Sequence, residues 1–257
     1  MQKSRNLITT ISVLLLFTAC TSHYQLTGIS RSRILIDQRF DANPDAKAAS
    51  FIVPYKVKVD SVMAPVMGTA AHAMAADRPE SDLSNLLSDI LIWASKDYNE
   101  KPVLGIYNIG GIRTGLPAGK VTYGDILEVA PFENKIYFMT LKGDDLKHLL
   151  SQIAARGGEG VSHGINMVIS PDGKLLSVAI NGQPLDPQKD YRIVTIDYLA
   201  QGNDGMNAFQ KGFNVISPKD KDSNTRFLIM KYFREMEAQG KAVSSKVEGR
   251  IVVKSEK

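Results

Sequence analysis

The sequence contains a single cysteine, Cys20, among 257 residues. One cysteine excludes an intrachain disulfide, so the fold must be held together by a hydrophobic core. Hydrophobic residues make up 44% of the chain, which is an ordinary fraction for a globular protein. At this length the chain can bury such a core in one substantial domain or two small ones.

Histidine is also scarce, with four residues in the whole chain. Hydrolytic sites with two metal ions need a cluster of Asp, His and Asn ligands. No Asp-x-His or Gly-Asn-His-Glu run is present, and His72 and His163 stand apart from other candidate ligands. We therefore expect no catalytic residue, metal site or cofactor in this chain, and we interpret both histidines as structural.

Blocks of Lys or Arg are missing, and the net charge is only +4. A mild positive charge helps to attract anionic ligands, but it lacks the clustering that nucleic-acid binding requires. The sequence therefore predicts no nucleic-acid partner.

No apolar run reaches the roughly 20 residues that a transmembrane helix needs. The most apolar segment, Leu7–Phe17, follows Lys3 and Arg5 and is separated from Cys20 by two small residues. This order resembles a bacterial lipobox and predicts a lipoprotein signal peptide over residues 1–20 with lipidation at Cys20. A plain secretory signal is the alternative.

A lipid on Cys20 anchors a protein to a membrane without spanning it. The expected location is therefore the bacterial cell envelope, either periplasmic or at the cell surface. Residues 21–39 are expected to form a tether and lead-in, and residues 40–254 the folded domain.

Helical and strand patterns alternate after residue 40. Apolar residues recur every three or four positions over residues 83–94, which predicts an amphipathic helix. Short apolar runs at Pro102–Tyr107 and Tyr191–Ile196 predict buried strands, and residues 164–180 predict a hairpin around Pro-Asp-Gly. Together these patterns predict an α/β fold of the mixed (α+β) kind.

Two glycine-containing loops follow the predicted strands, and each carries polar side chains. An aromatic pair can stack a base at about 1–3 kcal/mol per base. An amide can pair with a base edge, a carboxylate can accept from ribose hydroxyls, and an arginine can hold phosphate. The residues of these types in or near the loops are Asn108, Gly110, Arg113, Phe132, Tyr198 and Asp204. Taken singly, each also fits an ordinary turn or core position.

Longer motifs favour the ligand site. Residues 108–132 contain Asn-Ile-Gly-Gly-Ile-Arg, Leu-Pro-Ala-Gly, Thr-Tyr-Gly-Asp-Ile and Pro-Phe in this order, and residues 198–205 read Tyr-Leu-Ala-Gln-Gly-Asn-Asp-Gly. With the Glu-Ser-x-Leu helix entry at residues 80–83, these motifs resemble the C-terminal, substrate-binding domain of the 5′-nucleotidase family over residues 40–252. The resemblance implies a layered α/β/β/α fold and the binding of a nucleotide or nucleoside.

The resemblance also implies a role for each residue. Phe132 and Tyr198 stack on the base, while Asn108 hydrogen-bonds the base edge from the loop that holds Gly110. Asp204 takes the ribose hydroxyls.

Two arginines are implied as phosphate ligands. Arg113 follows the glycine loop in the family position. Arg78 is the residue nearest to a second family arginine, and it matches the motif less well.

In the family, catalysis belongs to a metallophosphoesterase domain with two divalent metals. Residues 1–39 are too few for such a domain. We therefore expect a recognition component that acts with a separately encoded metallophosphoesterase in nucleotide catabolism or salvage. A self-sufficient phosphoric-ester hydrolase and a non-catalytic scaffold lipoprotein are the alternatives. The scaffold is disfavoured because the family residues Phe132, Tyr198, Asp204 and Arg113 are all present.

Overall fold

The structure is a computed structural model, and it describes residues 24–254. The signal peptide at residues 1–20 and the lipidation site at Cys20 lie outside the described residues and stay predictions. The chain divides into two compact units, with the boundary between Phe51 and Ile52.

The described residues of the first unit have little regular structure. Residues 24–37 form neither helix nor strand, and a single 3₁₀ turn follows at Gln38–Phe40. The first helix, α1 (Ala46–Met63), begins in this unit and runs across the boundary into the second. Across the described residues, no helix is both long enough and apolar enough to cross a membrane.

The second unit contains all the strands found in the described residues. Its elements after α1, in chain order, are β1 (Val66–Ala70), α2 (Asp82–Ala94), β2 (Leu104–Tyr107), β3 (Gly119–Thr122), α3 (Tyr123–Val129), β4 (Ile136–Lys142), α4 (Gly143–Ala155), β5 (Gly160–Val161), β6 (Ile165–Ile169), β7 (Leu175–Ile180), β8 (Gln183–Pro184), β9 (Asp190–Ile196), α5 (Asp197–Ala200), β10 (Phe213–Ile216), α6 (Thr225–Ala238) and β11 (Ile251–Val253). The mixed α/β class predicted from the sequence is confirmed.

These strands form three sheets. The largest has the order β10-β4-β9-β2-β5, a second has the order β11-β6-β7-β8, and β1 pairs with β3. Within the largest sheet, β2 runs parallel to β9, whereas β4 runs antiparallel to β9. The end of β2, the end of β9 and the start of β4 therefore meet at one edge of the sheet, and the loops attached there lie next to one another.

Helix α2 shows how local sequence signals set this framework. The Ser81 hydroxyl accepts a hydrogen bond from the N–H of Ser84, and the Ser84 side chain accepts from the N–H of Ser81, so the helix starts with a capping box. Its apolar face packs on β2, where a Cβ at Gly105 would lie 2.7 Å from the Ser88 carbonyl oxygen. Glycine is therefore required at this close contact between helix and strand.

The sequence patterns predicted the long elements better than the short edge strands. The hairpin predicted over residues 164–180 is present as β6 and β7. By contrast, neither β3 nor β10 is among the strands that the sequence patterns predict. Both strands are four residues long and mostly exposed, so they carry little apolar periodicity.

Candidate functional site

The first loop of the site follows β2 directly. Asn108 comes immediately after β2 and is only 4% exposed. Its amide nitrogen donates a hydrogen bond to Asp204 Oδ2 at 2.8 Å, although the two residues are 96 positions apart in sequence. The pairing brings together the two loops that the sequence placed after separate strands.

The oxygen of the same amide has no partner. Within the described residues, Asn108 Oδ1 is buried and makes no hydrogen bond. Leaving a buried acceptor unsatisfied costs about 1–3 kcal/mol. A Cβ at Gly111 would lie 2.7 Å from this oxygen, so only glycine leaves room beside it. The loop thus contains a buried acceptor for which the described residues supply no donor.

The second loop presents Asp204 in a left-handed backbone conformation. Its φ is +57°, a region that Asp and Asn tolerate better than most residues. Oδ1 accepts from the Tyr198 hydroxyl at 3.0 Å, and Oδ2 accepts from Asn108. The pKa of the Tyr198 phenol is raised, chiefly by its hydrogen bond to Asp204, with contributions from burial and from the carboxylate charge.

A cavity of about 250 Å³ opens between these loops. Five residues predicted from the sequence line it, namely Asn108, Gly110, Phe132, Tyr198 and Asp204. Phe132 is 48% exposed and Tyr198 is 38% exposed. By contrast, the strands next to them in sequence, β4 and β9, are largely buried. Two half-exposed rings beside a carboxylate and an amide can stack a flat ring and hydrogen-bond its polar substituents.

Separate contacts hold the two aromatic residues. Arg226, at the start of α6, is 8% exposed and donates from Nε to the Ala130 carbonyl at 2.9 Å and from Nη2 to the carbonyl of Pro131. These bonds fix the turn that ends in Phe132.

Asp197 ties Lys135, immediately before β4 and three residues after Phe132, to Tyr198. Its Oδ1 accepts from the backbone N–H of Lys135 at 3.1 Å and from that of Tyr198 at 2.9 Å. The start of β4 and the end of β9 are therefore joined beside the cavity, which keeps the two rings on neighbouring loops.

Two cavity residues and one residue behind the cavity were missed by the sequence analysis. Asn134 and Arg156 line the cavity, and Glu159 lies behind it with a fully buried side chain. Glu159 Oε1 accepts from Arg156 Nε at 2.6 Å, and its Oε2 accepts from the N–H of Ile109 at 2.6 Å. The sequence signal for Glu159 was its position as an acidic residue within the glycine run at residues 157–160. An ordinary surface turn explains that pattern equally well.

Arg156 is held in its charged form. Burial lowers the pKa of its guanidinium, but the hydrogen bond and charge of Glu159, helped by Asp204, outweigh burial and raise the pKa overall. A permanent cation therefore lies beside the Asp204 carboxylate, with Nη2 3.7 Å from Oδ2.

The structure does not bring the two predicted phosphate ligands into the cavity. Arg113 is exposed, and its Nη1 lies 3.3 Å from the Gly110 carbonyl oxygen. Arg78 donates to the Gly158 carbonyl at 2.9 Å and to Glu159 at 2.5 Å. The phosphate roles of both arginines stay predictions, and Arg78 also has a structural task that the sequence did not predict.

Residues 24–254 contain no group of three or more His, Cys, Asp or Glu side chains that could hold a metal ion. His72 lies 3.5 Å from a carboxylate oxygen of Asp82, and His163 Nδ1 lies 2.9 Å from Glu248 Oε2. The residues that line the cavity offer hydrogen bonding, charge and aromatic stacking.

Comparison with known proteins places these features in a family. Residues 64–211 match the family model described as 5′-nucleotidase, C-terminal domain. The protein UshA of Yersinia enterocolitica is 26% identical over 216 residues, which cover 82% of this chain and 38% of that protein. The cell wall protein Lmo0130 of Listeria monocytogenes is 26% identical over 238 residues, which cover 83% of this chain and 30% of that protein.

A solved structure shows the same fold. The 5′-nucleotidase precursor from Thermus thermophilus superposes with a TM-score of 0.71 at 27% identity, over 84% of this chain and 45% of that one. The matched part of the chain thus covers less than half of each of these three proteins. The matched family model covers both site loops from Asn108 to Asp204.

Proposed function

Because this chain belongs to the 5′-nucleotidase C-terminal domain family, we propose that it binds the nucleoside part of a nucleotide in the cavity beside Phe132 and Tyr198. The observation that carries the proposal is the contact between Asn108 and Asp204. It joins an amide and a carboxylate at one cavity wall, next to two half-exposed rings.

Each group has a task in this proposal. The rings of Phe132 and Tyr198 stack on the base, and the Asn108 amide hydrogen-bonds the base edge. The Asp204 carboxylate accepts from the two ribose hydroxyls, as carboxylates do in dinucleotide sites. The phosphate projects from the cavity toward solvent, where Arg113 is exposed.

Hydrolysis is assigned to a second protein. We propose that a separately encoded metallophosphoesterase supplies the divalent metals and cleaves the bound nucleotide in nucleotide catabolism. Such metals activate water and stabilise both the attacking and leaving oxygens. The proposal draws on the name of the family and on the solved 5′-nucleotidase, whose chain is more than twice as long as the matched part.

The proposed location is the bacterial cell envelope, with a lipid on Cys20 as the anchor. The signal-like residues 1–20 support it, and one relative is described as a cell wall protein. Mass spectrometry of the purified membrane fraction tests the lipid. An N-terminal peptide that begins after residue 20 or lacks a diacylglyceryl group contradicts the anchor.

Calorimetry tests the binding proposal. The purified chain is titrated with adenosine, guanosine, cytidine and uridine and with their 5′-monophosphates, alone and with a candidate metallophosphoesterase. We expect saturable binding of at least one nucleoside. Absence of binding in every combination overturns the proposal. Metal-dependent phosphate release from AMP by the repurified chain alone favours the self-sufficient hydrolase instead.

The Tyr198 hydroxyl gives a further prediction. It occupies Asp204 Oδ1 in the ligand-free structure, so a ribose hydroxyl must displace it. Tyr198→Phe removes this competitor and keeps the ring. Because an intramolecular hydrogen bond contributes about 0.5–1.5 kcal/mol, we expect nucleoside affinity to rise about 2- to 10-fold in calorimetry. A fall in affinity shows that the hydroxyl contacts the ligand rather than competing with it.

A further inference from the structure

We infer that Glu159 and Arg156 form a strut that positions Asp204 for ribose recognition, an inference that rests on the proposed nucleoside site. Neither residue is among the ligand contacts that the family resemblance implies. Together they connect the loop after β2 to the loop after β9 from behind the cavity.

The Glu159 end of the strut is fixed in the protein interior. Its side chain is fully buried and accepts three hydrogen bonds, from the N–H of Ile109, from Arg156 and from Arg78. Buried carboxylates are retained where charged partners satisfy them. The bond to Ile109 is also a bond to the residue next to Asn108, so Glu159 anchors the first loop.

The Arg156 end reaches the second loop. Its Nε donates to Glu159 at 2.6 Å and its Nη1 donates to the Asp204 backbone carbonyl at 2.8 Å. A planar guanidinium can make both bonds at once in a fixed geometry, which a lysine ammonium cannot. Arg156 therefore sets the separation between Glu159 and the backbone of Asp204.

Positioning matters at Asp204 because its backbone lies in the left-handed region, with glycines at positions 202 and 205. Glycine-rich backbone is permissive, so it does not hold a side chain in one direction by itself. The hydrogen bond to the Asp204 carbonyl restrains the backbone of Asp204, and with it the direction of the carboxylate side chain. The nearby Nη2, 3.7 Å from Oδ2, adds a favourable charge on the same side.

Apart from the hydrogen bond from the Tyr198 hydroxyl to Asp204, base stacking depends on a different set of contacts. Arg226 fixes the Phe132 turn, and Asp197 joins Lys135, three residues after Phe132, to Tyr198. Neither bond involves Arg156 or Glu159. Breaking the strut should therefore impair recognition of the ribose hydroxyls and leave base stacking in place. A general loss of stability would weaken both.

The experiment compares adenosine with 2′,3′-dideoxyadenosine by calorimetry on the full chain. We expect the wild type to prefer adenosine at least about 10-fold. In Arg156→Ala the preference should fall to less than threefold, with the affinity for dideoxyadenosine changed less than twofold. Arg192→Ala is the matched control, because Arg192 is also a partly buried arginine, paired with Glu100 and not part of the cavity lining.

Arg156→Lys provides the second variant if Arg156→Ala does not fold. It keeps the charge beside Glu159 but cannot bridge to the Asp204 carbonyl, so we expect the same loss of preference. A wild-type preference in either folded variant overturns the strut. A wild type that binds both nucleosides equally overturns the ribose role of Asp204 and the strut with it. A wild type that binds neither compound, nor any of the other nucleosides and 5′-monophosphates titrated above, overturns the proposed function itself.

Discussion

Replacing Asp204 with asparagine is expected to lower the affinity for adenosine about 100-fold. Hydrogen bonds to a charged group contribute about 1.5–3 kcal/mol each, and the proposed carboxylate accepts from two ribose hydroxyls. The amide keeps the shape of the side chain but loses the charge and one acceptor. Its new NH₂ group must also face either the Asn108 amide nitrogen or the Tyr198 hydroxyl, which donate to Asp204 at present.

Asparagine is the informative substitution because the backbone at this position has φ +57°. Asn tolerates that region as Asp does, whereas Ala adds backbone strain to the loss of the carboxylate. Thermal melting should therefore show little change. Asp144→Asn, an exposed carboxylate in the first turn of α4, is the control and should bind as the wild type does. Wild-type affinity in Asp204→Asn would show that the ribose does not bind there.

Phe132→Ala is expected to have the second largest effect. Loss of a stacked base contact costs about 1–3 kcal/mol, so the affinity for nucleosides should fall about 5- to 150-fold. The ring is 48% exposed, and little of the core depends on it. The free energy of unfolding should change much less than it does for truncation of a buried aromatic residue.

The pattern across ligands separates this effect from that of Asp204. Phe132→Ala should weaken adenosine and 2′,3′-dideoxyadenosine by the same factor, because both carry the same base. Asp204→Asn should weaken adenosine and leave the dideoxy compound nearly unchanged. Phe132→Tyr, which keeps a ring of the same size, is the control. Equal binding by Phe132→Ala and the wild type places the base elsewhere.

Much of the local structure follows from local sequence. Helix α2 has apolar residues at helical spacing and a capping serine, and the strands β2 and β9 are short apolar runs. These signals act over a few residues, so they can be identified without knowledge of the fold. The same holds for the hairpin of β6 and β7, whose turn residues define it.

The composition of the site was also predictable in part. Motif order pointed to Asn108, Phe132, Tyr198 and Asp204, and the structure brings all four to one cavity. Stacking and ribose binding need particular residue types, and those types are visible in the sequence. Their individual roles stay predictions until ligands are measured.

Arg156 and Glu159 could not be found in this way. Their importance comes from contacts 48 and 50 positions away in sequence, to Asp204 and Ile109. Arg78 shows the same limit from the other side. Its sequence position suggested phosphate, which stays a prediction, but could not show that its guanidinium also binds Glu159.

The sequence by itself determined the helices, the buried strands and the inventory of groups suited to a nucleoside. The tertiary structure decided which of those groups meet. The reason is that β2 and β9 are parallel neighbours, so the loops after them share one sheet edge although about 90 residues separate them. Hydrogen-bond partners at that edge depend on sheet order and loop geometry, and local periodicity carries no information about either.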